Sequence, residues 1–268
     1  MRIILTVFLI LIINVNQGSL GTESQNTKNI SQDITAIRTI HLVVALCDNK
    51  SQGIVPVPDK IGNGDDPANN LYWGALYGVK TFFQRSKSWD LVASEKNIDS
   101  NILERLIFKH RKTGSYFVAD AYQGKKIKVA IRNFFEAAAG EKEETIEEND
   151  IKLNLYGKAD LVAYIGHNCL MEFRMEVPER VKNKRERAAF VLACASKYYF
   201  HSTLSSLGCK PLLLTTGLMA PEAYTLEAAL EAWLTGGKAE DIKVEAARAY
   251  SKYQKCGEKS ALNLFYVE

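Results

Sequence analysis

Two short apolar runs, Leu161 to Asn168 (LVAYIGHN) and Ala188 to Ser196 (AAFVLACAS), constrain this chain more than any other stretch. Each is flanked by charge, as buried parallel strands are. Each also stops on a reactive residue type, His167 after the first and Cys194 after the second. In open α/β sheets the working residues lie just past the carboxyl ends of strands. A His and a Cys so placed are a candidate base and nucleophile. The interval between them accommodates the crossover of about a dozen residues that parallel neighbours need.

The remaining elements read in order. Thr39 to Cys47 (TIHLVVALC) is a β-branched, apolar strand ending in an Asp48-Asn49 turn. A Gly- and Pro-rich loop over Ser51 to Ala68 follows, and loops of that length after a first strand carry function. Leu71 to Phe83 has helical spacing, with Pro67 suited to its first turn. Trp89 to Ala93 reads as a strand, and Ile102 to Phe108 with Ser115 to Ala119 as a hairpin. Asp120 to Gly124 reads as a turn, Lys125 to Ala139 as an amphipathic helix closed by Gly140, and the acidic Glu141 to Asp150 as a solvated connection. Beyond Cys194 come a helix over Ala195 to Leu207, a strand over Lys210 to Thr216, and helices from Pro221 to Trp233 and Ala239 to Tyr253. A final edge strand spans Asn263 to Val267. Strands alternating with helices predict an α/β fold, a three-layer α/β/α sandwich with a mostly parallel sheet.

The N-terminus stands apart. Met1-Arg2 is a positive start, Ile3 to Val15 is apolar but for Thr6 and Asn14, and Ser19 and Gly21 fit a cleavage site. Residues 1–21 therefore read as a secretory signal peptide, shorter than the span of about 20 apolar residues that a membrane helix requires. Residues 22–38 read as a flexible leader and residues 39–268 as one domain, secreted or periplasmic, with no membrane association after signal cleavage. In such a compartment five cysteines (Cys47, Cys169, Cys194, Cys209, Cys256) leave at least one thiol unpaired. A Cys169–Cys194 disulfide, if the fold brought the two together, would silence the nucleophile.

The 34 basic and 31 acidic residues are interspersed, which argues against a nucleic-acid partner. The densest basic stretch, Arg180 to Arg187, reads as a solvated face. No His, Cys or carboxylate spacing suggests a metal, and no cofactor is implied. His41, His110 and His201 lack the context of His167. The oxyanion formed on attack needs donors, for which the backbone N–H of Cys194 and one from the turn after His167 are placed. A helix starting at Ala195 adds a field that favours a thiolate.

The order strand–His, strand–Ala–Cys, strand–Thr–Thr resembles the clan CD cysteine peptidases, which include caspases, legumain and gingipains. The matching residues are Ile165-Gly166-His167-Asn168 and Leu192-Ala193-Cys194-Ala195-Ser196. Leu42 to Asn49, Asp120 to Gly124 and Leu213 to Gly217 are similar to further segments, so the likeness covers roughly residues 39 to 235. It implies a six-stranded sheet of the caspase–haemoglobinase type and a Cys–His dyad that cleaves peptide or protein substrates, with Cys194 as nucleophile and His167 as proton donor. Asn168 stands where the family has Gly and keeps the N–H, so Asn168 and Cys194 are the implied oxyanion donors. Asp48, Asn49, Thr215 and Thr216 are the implied walls of the substrate pocket. The alternative is a catalytically inactive binding or scaffold protein on the same fold.

Overall fold

The strand β1 (Thr39–Ala45) is buried at every position. That is what a run of apolar and β-branched residues becomes when both of its faces are covered. In the computed structural model, which describes residues 37–182 and 185–268, β1 lies within an eight-stranded sheet. Its neighbours are β4 (Tyr116–Tyr122) and β7 (Leu161–Ile165), both parallel to it and both fully buried. Beyond β7 come β8 (Arg187–Leu192) and β9 (Cys209–Thr215), also parallel. The edges are antiparallel: β10 (Phe265–Tyr266) on β9, and β3 (Ile102–His110) followed by β2 (Trp89–Lys96) on β4. Eight strands replace the expected six, because the meander β2–β3–β4 and the short β10 extend the parallel core at both sides.

Alternation along β1 divides the core. Ile40, Leu42 and Val44 face the helices α1 (Val79–Gln84), α4 (Ala223–Leu234) and α5 (Ala239–Gln254), meeting Phe83, Leu230 and Ile242. Val43 and Ala45 face α2 (Ile127–Ala139) and α3 (Ser196–Ser206), meeting Phe134, Phe135 and Phe200. Each fully buried Phe of this kind contributes about 2–3 kcal/mol of hydrophobic stabilisation. As expected, α2 ends on Gly140, whose φ of 78° lets its N–H cap Ala137 O and Glu136 O. A short helix α6 (Glu258–Leu264) leads into β10. Among the described residues no helix is long and apolar enough to cross a membrane. The expected signal peptide and all but residues 37 and 38 of the leader lie outside the described residues.

Three local expectations change. Leu71 to Phe83 is helical only from Val79, because the chain turns tightly before it. A Cβ on Gly74 would lie within 2.4 Å of the Ala68 carbonyl carbon, and one on Gly78 within 2.6 Å of Trp73 N. The acidic stretch is a strand, β5 (Glu143–Glu148), paired with β6 (Ile151–Tyr156), which buries Leu153, Leu155 and Tyr156. Asp120 is no turn residue but a completely buried member of β4.

Asp120 is held by partners from two neighbouring strands. Arg105 Nε and Nη2 donate to its two oxygens at 2.6 and 2.8 Å, and His41 Nε2 donates at 3.0 Å. His41 Nδ1 accepts the Tyr156 N–H at 3.3 Å, and Arg105 reaches Glu144 at 3.1 Å, so the network also moors the β5–β6 hairpin. Burial alone would raise the Asp120 carboxyl, but the bonds and charges of Arg105 and His41 outweigh it and hold the group at about 2. Folding thus favours the ionised form. Its contribution, about 2 kcal/mol, is complete above the ordinary carboxylate range and disappears as pH falls from about 4 to 2. Urea titrations across that range should show this loss in the wild type and not in Asp120→Asn, which should be less stable at neutral pH.

Candidate functional site

His167 and Cys194 extend from adjacent parallel strands in matched register. Ile165 on β7 pairs with Leu192 on β8, and each reactive residue lies two positions beyond its member of that pair. Gly166 makes the exit from β7. Its φ is 148°, and a Cβ there would stand 3.1 Å from both Ala45 O and Tyr164 Oη. Its N–H still reaches back to Leu192 O at 3.3 Å, which ties the two strand ends together. The Tyr164 hydroxyl donates to His167 O at 2.7 Å and fixes the next peptide.

Cys194 occupies a sharp bend between β8 and α3. Ala195 is in the left-handed region (φ 51°, ψ 30°), and α3 starts at Ser196. Both peptide planes around Cys194 are pinned. Thr215 Oγ1 donates to Ala193 O, Asn168 Nδ2 donates to Cys194 O at 2.7 Å, and Ala195 N–H donates to Gly217 O at 2.8 Å. Ser196 adds its hydroxyl to Val191 O at 2.8 Å and its N–H to Thr215 Oγ1 at 3.2 Å. Among the described residues no protein group accepts the Cys194 N–H. The half-buried Cys194 Sγ lies 3.4 Å from Met219 N and 3.5 Å from Met219 O.

The other cysteines have different surroundings. All five are free thiols, and Cys169 is buried in the core on the α2–α3 face of the sheet. Burial, with the Glu172 charge adding, pushes the Cys169 thiol up to about 12. Burial likewise pushes Cys47 up to about 11 and Cys209 to about 12. These three are therefore held as thiols near neutral pH. Tyr72, raised well above its ordinary value first by burial and then by the neighbouring Cys47 and Cys194, keeps its hydroxyl proton.

His167, 12% exposed, bonds through Nε2 to Glu172 Oε1 at 2.6 Å. Glu172 also accepts the Gly53 N–H at 3.3 Å. Asn168 is completely buried, and its Oδ1 accepts the Leu170 N–H at 3.2 Å at the start of the 3-10 turn Cys169–Met171. It therefore acts on the site through its side chain on Cys194 O.

The four expected pocket residues separate. Thr215 is completely buried, so it presents no wall to a ligand; its hydroxyl instead shapes the Cys194 bend. Thr216 Oγ1 donates to the carbonyl of Asn263 at 2.8 Å and ties down the end of α6. Asp48 accepts Lys50 N–H at 2.9 Å and Ser51 Oγ–H at 2.6 Å, and Asn49 bonds Val57 N and O at 3.0 and 2.7 Å. These two order the loop after β1 and line a depression of about 290 Å³ with Asp59 and Asn63. Beneath that loop, buried Asn70 accepts Cys47 N–H at 3.0 Å and donates to Cys47 O at 2.8 Å.

The remaining histidines make structural contacts. His110 bonds Thr113 and Glu231, and His201 pairs with Glu268 at 3.2 Å. Among the described residues no group of three His, Cys, Asp or Glu side chains converges as a metal site. Glu172, which bonds His167, and Met219, which lies against the Cys194 sulfur, were invisible in the sequence because each reaches its partner from outside the strands and helices. No protein-family model matches the chain, and neither the curated proteins nor the solved structures contain a significant match.

Asn168→Ala leaves the buried Cys194 carbonyl without its donor, and Thr215→Val does the same to Ala193 O. Each should cost about 1–3 kcal/mol, read as a lower urea midpoint at unchanged slope. Wild-type midpoints in both variants would show that these bonds do not hold the bend.

Proposed function

We propose that the chain is a cysteine endopeptidase-like hydrolase of the caspase–legumain type, exported by its N-terminal segment, which cleaves peptide bonds with Cys194 and His167. The observation that supports this reading is the equal extension of the two residues past the Ile165–Leu192 pair, which puts both just beyond the carboxyl ends of adjacent parallel strands. The Cys194 S–H bond breaks with its proton passing to His167, the sulfur bonds to the scissile carbonyl carbon, and the carbonyl π electrons move to oxygen. The Cys194 N–H, oriented by the pinned planes on either side, stabilises that oxyanion. Asn168 supports the donor by holding the Cys194 carbonyl. As the tetrahedral intermediate collapses, the C–N bond breaks and His167 gives its proton to the leaving amine. Water then hydrolyses the thioester, releasing the acid and restoring the thiol. Asp48 and Asn49 offer an acidic and an amide group to a substrate side chain beyond β1.

A second reading, a non-catalytic binding or scaffold protein, is favoured by one observation: both main-chain groups of Met219 lie against the Cys194 sulfur. A peptide-library cleavage assay separates the two. The peptidase reading predicts products with the wild type and a fall of about a thousandfold or more in Cys194→Ala. No product from either would support the scaffold reading, and equal product from both would show that Cys194 is not the nucleophile.

A further inference from the structure

We propose that Glu172 is the positioning residue of His167, and that Gly53 seats its carboxylate; this rests on the peptidase reading above. Glu172 Oε1 lies 2.6 Å from His167 Nε2, within the range of charge-assisted hydrogen bonds. With Nε2 engaged, the proton bound for the leaving amine departs from Nδ1, for which the structure records no protein partner among the described residues. The carboxylate also stabilises the imidazolium that must be present before this transfer. An exposed loop carboxylate needs a second hold to stay in one place, and Gly53 supplies it. The Gly53 N–H donates to Glu172 Oε2 at 3.3 Å.

Gly53 also leaves the room that the carboxylate fills. An ideal Cβ on Gly53 would stand 2.5 Å from Glu172 Cδ and 3.0 Å from Oε2. A methyl group there displaces the carboxylate while His167, Cys194 and Glu172 all remain in the chain. Gly53 is exposed, so the change removes no core packing. The loop after β1 and the segment after His167 are thereby coupled through one side chain. The elements are far apart in the sequence: both partners of Glu172 precede it, His167 by five positions and Gly53 by 119.

The test uses the full chain, a peptide cleaved in the library assay, and proton NMR of the imidazole N–H region. Glu172→Gln should lower kcat about tenfold or more with KM within about twofold, and should remove the downfield resonance of the His167 Nε2 proton. Gly53→Ala should do the same in direction, and Glu172→Gln with Gly53→Ala should be no worse than Glu172→Gln alone, as expected for changes acting through one contact. Glu172→Asp should fall between wild type and Glu172→Gln. If Cys194→Ala and His167→Ala abolish cleavage while Glu172→Gln and Gly53→Ala keep wild-type kcat and resonance, the inference is overturned and the peptidase reading stands. A wild-type chain that cleaves no peptide overturns both.

Discussion

The parallel pairing of β7 with β8 is the constraint on which the rest of this structure depends. Parallel neighbours in register must end together, so residues at equal distance past the last pair come to the same edge of the sheet. His167 and Cys194 stand in that relation to Ile165 and Leu192. Parallel pairing in turn requires covered faces, which α1, α4 and α5 supply on one side and α2 and α3 on the other. The apolar run that makes each strand buried is thus also what carries each reactive residue to the rim.

A strand end alone would leave Cys194 free to adopt many orientations. Here the bend is over-determined. Thr215, Asn168, Gly217 and Ser196, from three different segments, bond the peptides on both sides of Cys194. Such bonds hold Ala195 in the left-handed conformation, which costs a residue with a Cβ about 1 kcal/mol or more. His167 is fixed by other means: Gly166 turns the chain, Tyr164 holds the carbonyl, and Glu172 holds the ring. Both side chains thus stand on hydrogen-bonded supports. In the proposed peptidase, pre-formed geometry of this kind would reduce the reorganisation left for the reaction.

The parts of the fold that were legible in the sequence are those whose signal is local and strong. The continuous apolar runs of β1, β7, β8 and β9 and the Gly140 stop of α2 needed no tertiary information. What escaped depends on distant partners. Asp120 resembled a turn residue because acidic groups are rarely buried, and only Arg105 and His41, reached through the sheet, make its burial tolerable. The β5–β6 hairpin was hidden by its glutamates, although Asn149 and Asp150, with φ of 49° and 64°, form the two-residue turn that hairpins favour. Thr215 was expected at a pocket wall but is completely buried, because a residue type and a strand end do not say whether a side chain points outward or props the backbone of its neighbour.

The central claim is that the surroundings of Cys194, and not its accessibility, make it the reactive thiol. The most direct measurement is mass-spectrometric mapping of adducts after brief treatment of the folded chain with a peptidyl acyloxymethyl ketone library. Cys256 is the exposed cysteine of this structure and Cys194 is half-buried. The account predicts a single adduct on Cys194, lost in His167→Ala and on prior unfolding in urea. Adducts that follow exposure, with Cys256 modified first and Cys194 indifferent to His167, would contradict it.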